Sequence, residues 1–241
     1  MLNPALDIDA LAAEFRERRR IRIGDAFLPE VANALHACLH DEIPWRLSCY
    51  DNRREGKETA LKLTPEHVSA MSPEQRQSLQ REILRQATDQ FQYIYQSFDL
   101  LEGLREGERP GLFAYELMGY LAGDGFFEFA TRLTGNSEIN RIDGHATCYR
   151  AGHFLKYHAD ESPWENRRFA YVLGVTRGWD ADMGGLTCFL NDQGRIVDCY
   201  VPGFNALTIF EVPVPHMVSF VSPWVTRQRL SVTGWLTVYQ G

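Results

Sequence analysis

The side chains best placed to do chemistry are two histidines and an aspartate. They are His158 and Asp160 in Tyr157-His158-Ala159-Asp160, and His216 in Pro215-His216-Met217-Val218. Read as an extended strand, the first segment projects His158 and Asp160 to one side and turns Ala159 away. That is half a metal site. His216 arrives 56 residues after Asp160, just beyond Ala206-Leu207-Thr208-Ile209-Phe210, an apolar run that reads as a buried strand. Two neutral imidazoles and one carboxylate on one side of an ion leave the opposite coordination positions open, and chemistry would occur there.

Alone, the triplet carries little weight: 7 histidines and 14 aspartates in 241 residues give about 0.4 chance His-x-Asp matches. Its surroundings add more. Thirteen residues after His216 comes Arg229-Leu230-Ser231-Val232-Thr233-Gly234-Trp235-Leu236, whose alternation puts Arg229, Ser231 and Thr233 on one face and Leu230 and Val232 on the other. A cationic, hydroxyl-bearing strand face beside a metal suits an anionic ligand, because guanidinium grips carboxylate in a two-pronged geometry. Arg227, two positions earlier, is the alternative cation on that face.

The donor set is that of non-haem Fe(II) oxygenases. The run from Cys148 to Asp160 resembles the prolyl-hydroxylase branch of the 2-oxoglutarate/Fe(II) oxygenases, as do Gly184-Gly185-Leu186-Thr187, Pro202 to Leu207 and His216 to Trp235. A fainter likeness reaches back to Phe126-Phe127-Glu128-Phe129 and Leu133-Thr134-Gly135. The resemblance implies that His158, Asp160 and His216 hold Fe(II). It also implies that Arg229 pairs with the distal carboxylate of 2-oxoglutarate and that Tyr149 hydrogen-bonds the same cosubstrate. O2 would be the oxidant, with ascorbate a candidate reductant. The implied reaction hydroxylates an unactivated C–H bond and calls for no catalytic acid or base beyond the metal ligands. The implied substrate is a prolyl residue of a protein or peptide. A hydroxylase of a free amino acid or other small molecule, and a catalytically silent jelly-roll binding protein, are the alternatives.

After residue 140 the pattern is one of short strands, at 144–150, 153–160, 168–176, 185–190, 195–201, 205–211, 216–221 and 228–239, with helices upstream. The expected fold class is α+β, a double-stranded β-helix (jelly roll) core buttressed by N-terminal helices. One oxygenase domain over 1–241 is expected, with 1–140 as helical support and substrate-side elements and 141–241 as the jelly-roll core. Upstream, a first helix carries Leu6, Leu11 and Phe15, Ile21 to Ile23 form a short strand, and Pro29 opens a helix through about Leu39. Residues 44–64 read as a hairpin around Asp51 to Lys57. Ser72-Pro73-Glu74-Gln75 starts a long amphipathic helix from Leu79 to Phe98, whose aromatic stripe Phe91, Tyr95 and Phe98 reads as core. Residues 102–111 read as a mobile connection, and a helix containing Phe126, Phe129 and Leu133 stops at Gly135.

A net charge of −7 argues against a broad nucleic-acid surface. No apolar run approaches the roughly 20 residues of a bilayer span and no signal pattern opens the chain, so a soluble, cytoplasmic protein is expected. The five cysteines, with no Cys-x-x-Cys pair, read as reduced, buried thiols. His145 and His153 lack spaced partners and read as structural, and Asn205 as a turn residue. Loops 161–167 and 177–184, with Trp164 and Trp179, are the expected substrate mouth.

Overall fold

Capping side chains mark the helix starts in the first half of the chain. Asp7 accepts a hydrogen bond from the Ala10 N–H and opens α1 (Ile8–Arg18), and Pro29 occupies the first turn of α2 (Pro29–Asp41). Thr64 and Ser72 form reciprocal capping boxes with His67 and Gln75 at the starts of α3 (Pro65–Ala70) and α4 (Pro73–Asp89). Then follow α5 (Leu100–Glu106), α6 (Phe113–Leu121) and α7 (Asp124–Thr134). The computed structural model describes residues 1–51 and 60–239. None of its helices is long and apolar enough to cross a membrane.

The strands are β1 (Arg20–Ile23), β2 (Arg46–Tyr50), β3 (Ala60–Leu63), β4 (Tyr93–Asp99), β5 (Arg141–Ile142), β6 (His145–Tyr149), β7 (Phe154–His158), β8 (Arg167–Val175), β9 (Thr187–Leu190), β10 (Ile196–Tyr200), β11 (Phe204–Glu211), β12 (His216–Val218) and β13 (Arg229–Thr237). One antiparallel path runs β1-β11-β8-β13-β6-β4-β7-β12-β9-β10. The turning point is β4. Its first residues pair with β7, Tyr93 opposite Leu155, and the rest with β6, Gln96 opposite Cys148. At the other side of the roll, Arg18 Nη2 and Arg20 Nε reach Asp198 Oδ2 at 2.5 and 3.1 Å, drawing the margins β1 and β10 together. The sheet is therefore a nearly closed antiparallel roll of the double-stranded β-helix type, with α1, α2, α6 and α7 over the main core and α4 packed separately against β2, β4 and β7.

Alternation along β13 decides what lies inside the roll and what lies outside. Leu230 and Val232 face outward and join Phe15, Leu35, Leu117, Phe126 and Ile209 in the main core, beneath α1, α2, α6 and α7. Full burial of each such side chain stabilises the fold by roughly 1.5–3 kcal/mol. Arg229, Ser231 and Thr233 are left pointing into the cavity.

Several expectations need correction. The helix begun at Ser72 ends at Asp89, and Tyr93–Asp99 is strand β4. Lys156 Nζ donates to the carbonyls of Ala87 and Gln90 at 2.6 and 2.7 Å, satisfying the end of α4. The side chain of Gln92, fully buried, then takes both backbone groups of Tyr50 and fixes the new direction. The first half of the connection expected at 102–111 is instead helix, capped by Asp99 and stopped by Gly107 at φ 69°. The hairpin between β2 and β3 is present, while its connection at 52–59 lies outside the described residues. The thiols are not all free: Cys188 on β9 and Cys199 on β10 stand opposite each other in register and are joined as a disulfide. Their sequence spacing hides this, since only strand register brings them together.

Candidate metal centre

His158 closes β7 and His216 opens β12, and the two residues are paired across those antiparallel strands. Their ring centroids lie 4.1 Å apart. Asp160 joins them by a route the alternation argument did not foresee. The strand stops at His158, and Asp160 adopts φ 61°, a left-handed conformation that Asp tolerates better than most residues. This bend swings the carboxylate back so that Oδ1 lies 3.3 Å from His158 Nε2 and Oδ2 lies 3.4 Å from His216 Nε2.

Hydrogen bonding fixes the tautomers. Nδ1 of His158 faces the Lys156 carbonyl at 2.9 Å, and Nδ1 of His216 faces the Val214 carbonyl at 2.8 Å. A carbonyl can only accept, so each Nδ1 carries the proton and each Nε2 presents a lone pair. Burial, with His158 nearby, pushes His216 down to about 4, favouring the neutral ring. Burial opposes ionisation of Asp160, and a proton on Nε2 of either imidazole, or a cation bound in its place, favours the carboxylate and lowers its pKa below the usual range. The Trp235 indole N–H faces the same carboxylate, without full hydrogen-bond geometry to any described acceptor. Three acceptor atoms thus converge within 4.8 Å of one another, a cluster that a cation satisfies.

The cavity in front of them has a volume of about 560 Å3. Its far end holds Arg229, 5% exposed, whose Nη2 donates to Thr187 Oγ1 at 3.0 Å. Nη1 is buried with no acceptor among the described residues. Tyr149 lies beside it, with the guanidinium carbon 4.8 Å from the ring centre. A buried guanidinium with a spare donor fits an incoming carboxylate. Arg227 is excluded from this place, because it is exposed and donates to the Gly178 carbonyl.

A sequence profile described as the 2OG-Fe(II) oxygenase superfamily matches residues 144–237, the stretch that contains all these residues. Residues 144–237 thus carry the signature of that superfamily. The triad and the superfamily imply Fe(II) and 2-oxoglutarate, and the converging donors and the spare Arg229 nitrogen fit both. Among relatives, prolyl 3-hydroxylase OGFOD1 of Mus musculus is 32% identical over 150 residues, covering 59% of this chain and 26% of that protein. The chain spans about a quarter of the length of that relative. Among solved structures, a Pseudomonas putida prolyl-4-hydroxylase matches with a TM-score of 0.59 at 19% identity, over 96% of this chain and 99% of that one. A prolyl hydroxylase from Trichoplax adhaerens, in complex with a hypoxia inducible factor peptide fragment, matches with a TM-score of 0.62 at 12% identity, over 96% and 89%. These two likenesses concern the fold.

Other cavity residues escaped the sequence reading. Phe91, Tyr93 and Tyr95 line the wall beside His158, and Tyr95 stacks on Tyr149 with centroids 4.9 Å apart. Their spacing of two was the available signal, masked by a helical reading of the same stripe. His145 also lines the cavity, 5.4 Å from the Trp235 ring. It shares the inner face of β6 with Thr147 and Tyr149, so alternation from Tyr149 would have found it. Arg167 lies over the Trp235 ring at 3.5 Å. Trp179 is buried, packs in one cluster with Tyr149 and donates to the Gly184 carbonyl, whereas Trp164 is exposed. His153 is structural as expected, with Nδ1 accepting from the Arg150 N–H at 3.1 Å. Asn205 has φ 53° and clasps both backbone groups of Phe27.

Proposed function

We propose that this oxygenase hydroxylates prolyl residues of a polypeptide, with His158, Asp160 and His216 holding Fe(II) and with Arg229 and Tyr149 holding the distal carboxylate of 2-oxoglutarate. The observation that carries the reading is the presence, in one cavity, of three converging lone-pair donors and a buried guanidinium nitrogen that lacks an acceptor. Fe(II), when bound, supplies the oxidising chemistry that couples decarboxylation of 2-oxoglutarate to hydroxylation of a C–H bond.

The chain's own residues orient and enclose. The Lys156 and Val214 carbonyls hold the imidazole protons on Nδ1, so that both Nε2 atoms stay available. Thr187 orients Arg229, whose Nη1 is then aimed at one carboxylate oxygen, and burial strengthens that contact by excluding water. Leu155, Val218 and Phe210 line the same cavity and keep its inner wall apolar.

Support for a prolyl substrate comes from the walls and from the relatives. Phe91, Tyr93, Tyr95 and Trp235 offer flat apolar faces of the kind a pyrrolidine ring packs against. The relative and the two solved structures described above are all named as prolyl hydroxylases, one of them in complex with a peptide fragment. The cavity volume of about 560 Å3 exceeds what a five-carbon diacid fills, leaving room for a side chain of a second molecule. We also propose that residues 1–241 form one oxygenase domain. Support lies in β1 and β4, which come from the first half of the chain yet pair within the same sheet as the matched segment.

The test is direct. Purified protein supplied with Fe(II), 2-oxoglutarate, O2 and ascorbate should release succinate, and His158→Ala or Asp160→Ala should abolish release. Mass spectrometry of proline-containing peptides or partner proteins after incubation should find a gain of one oxygen on proline. Hydroxylation only of free amino acids or other small molecules would replace the polypeptide reading, and absence of 2-oxoglutarate binding would defeat the site assignment.

A further inference from the structure

Alternation along β1 turns Ile21 and Ile23 toward the helices and Arg20 and Arg22 into the roll. Arg20 is answered by Asp198 at 3.1 Å. Arg22 has no carboxylate among the described residues within ion-pair distance, and its guanidinium carbon lies 6.0 Å from the centre of the Tyr200 ring. The backbone makes room for it, since a Cβ added at Gly203 would collide with its Nη2. Arg22 also lines a small cavity of about 30 Å3, shared with Thr176, Thr187, Ser231 and Arg229. A space of that size holds a water or two.

Thr187, Ser231 and Arg229 border the large cavity as well, so the two spaces share one wall, and that wall is the anion-binding end. The charge of Arg22 reaches Arg229 and works against it. Neither guanidinium has a carboxylate partner among the described residues. Two like charges, one fully and one partly desolvated, raise the free energy of the ligand-free site. An entering anion relieves both at once.

We propose that Arg22 is a second positioning cation for the distal carboxylate of 2-oxoglutarate, acting from behind Arg229 across the small cavity. The inference rests on the cosubstrate reading above and extends it to a residue far outside the matched segment. Its consequence is selectivity for a dicarboxylate over a 2-oxo monocarboxylate, because only the former places a charge near Arg22.

The test uses the full chain loaded with Mn(II), which supports binding without turnover, and titrates 2-oxoglutarate by calorimetry. Arg22→Met should weaken binding roughly tenfold, the size of one partly screened charge-assisted contact. Arg22→Lys should stay within about threefold of wild type, and Gly203→Ala, which displaces the guanidinium, should resemble Arg22→Met. The affinity for 2-oxobutyrate, which lacks the distal carboxylate, should be the same in wild type and Arg22→Met. In turnover assays KM for 2-oxoglutarate should rise while kcat at saturation holds. If Arg22→Met binds 2-oxoglutarate as wild type does, or loses both ligands equally, the inference is overturned. Failure of wild type itself to bind 2-oxoglutarate would instead overturn the cosubstrate reading beneath it, and Arg229→Met serves as the control for that outcome.

Discussion

At the scale of single residues, the site depends on protons being held in the right places. Trp235 offers its indole N–H toward Asp160, and such outer contacts to a metal-binding carboxylate are worth roughly 10- to 100-fold in metal affinity. Trp235→Phe keeps the ring and loses the donor, so it should bind Mn(II) about tenfold more weakly by calorimetry, with the melting temperature little changed. His153 makes a separate prediction about stability. Burial lowers its pKa from the ordinary 6.5 to about 4, and Nδ1 is occupied by the Arg150 N–H, a bond that a protonated nitrogen cannot accept. The unfolded chain therefore binds a proton that the folded chain refuses. The contribution is complete above pH 6.5 and is lost as pH falls toward 4, amounting to roughly 3 kcal/mol over that window. Urea midpoints measured between pH 7 and pH 4 should fall less steeply for His153→Gln than for wild type. Of these residues, the triad and Arg229 were legible because their order and spacing are distinctive. Trp235 was visible only as part of a motif, since nothing in a sequence says which carboxylate an indole will face.

Elements explain the misreadings. From Ser72 to Phe98 the apolar residues recur at intervals that suit a helix as well as a strand. What decides between them is tertiary: Lys156 from β7 ends α4, and Gln92 clasps Tyr50. The turn at Asp160 was equally hidden, because a two-residue spacing invites an extended reading although the strand had already ended. Eight of the nine described strands after residue 140 were legible to within a few residues because glycine-rich and polar turns separate them, and the two-residue β5 was missed. β13 shows how narrowly such an element is constrained. A Cβ at Gly234 would strike the Asp143 carbonyl, and the neighbouring Trp235 N–H donates to Asp143 Oδ1 at 2.6 Å. Gly234→Ala must displace that backbone contact, at a cost of about 2–3 kcal/mol. Scanning calorimetry should show a melting temperature lower by roughly 5–10 °C. An unchanged melting temperature would mean that the strand has slack the structure does not show.

At the scale of the whole molecule, ligands that bind only the folded roll must stabilise it. Mn(II) with 2-oxoglutarate at a hundred times its Kd should add about 2.7 kcal/mol, or roughly 5–10 °C in melting temperature. Asp160→Ala should show no such gain, and a gain of equal size in that variant would place the ligands elsewhere. Support and site are also not separable: excising residues 144–237 would strip α1, α2, α6 and α7 from Ile209, Leu230 and Val232 and remove β1 and β4. That fragment should be insoluble when expressed alone. One strand shows why the first half matters even where it touches no cosubstrate. Because β7 and β6 follow one another along the same edge of β4, with β2 on the other, the register of that one strand sets how far His158 stands from Tyr149. Tyr93 and Tyr95 line the cavity from that same strand, so a guest packed on them bears on the register that positions His158 and Tyr149.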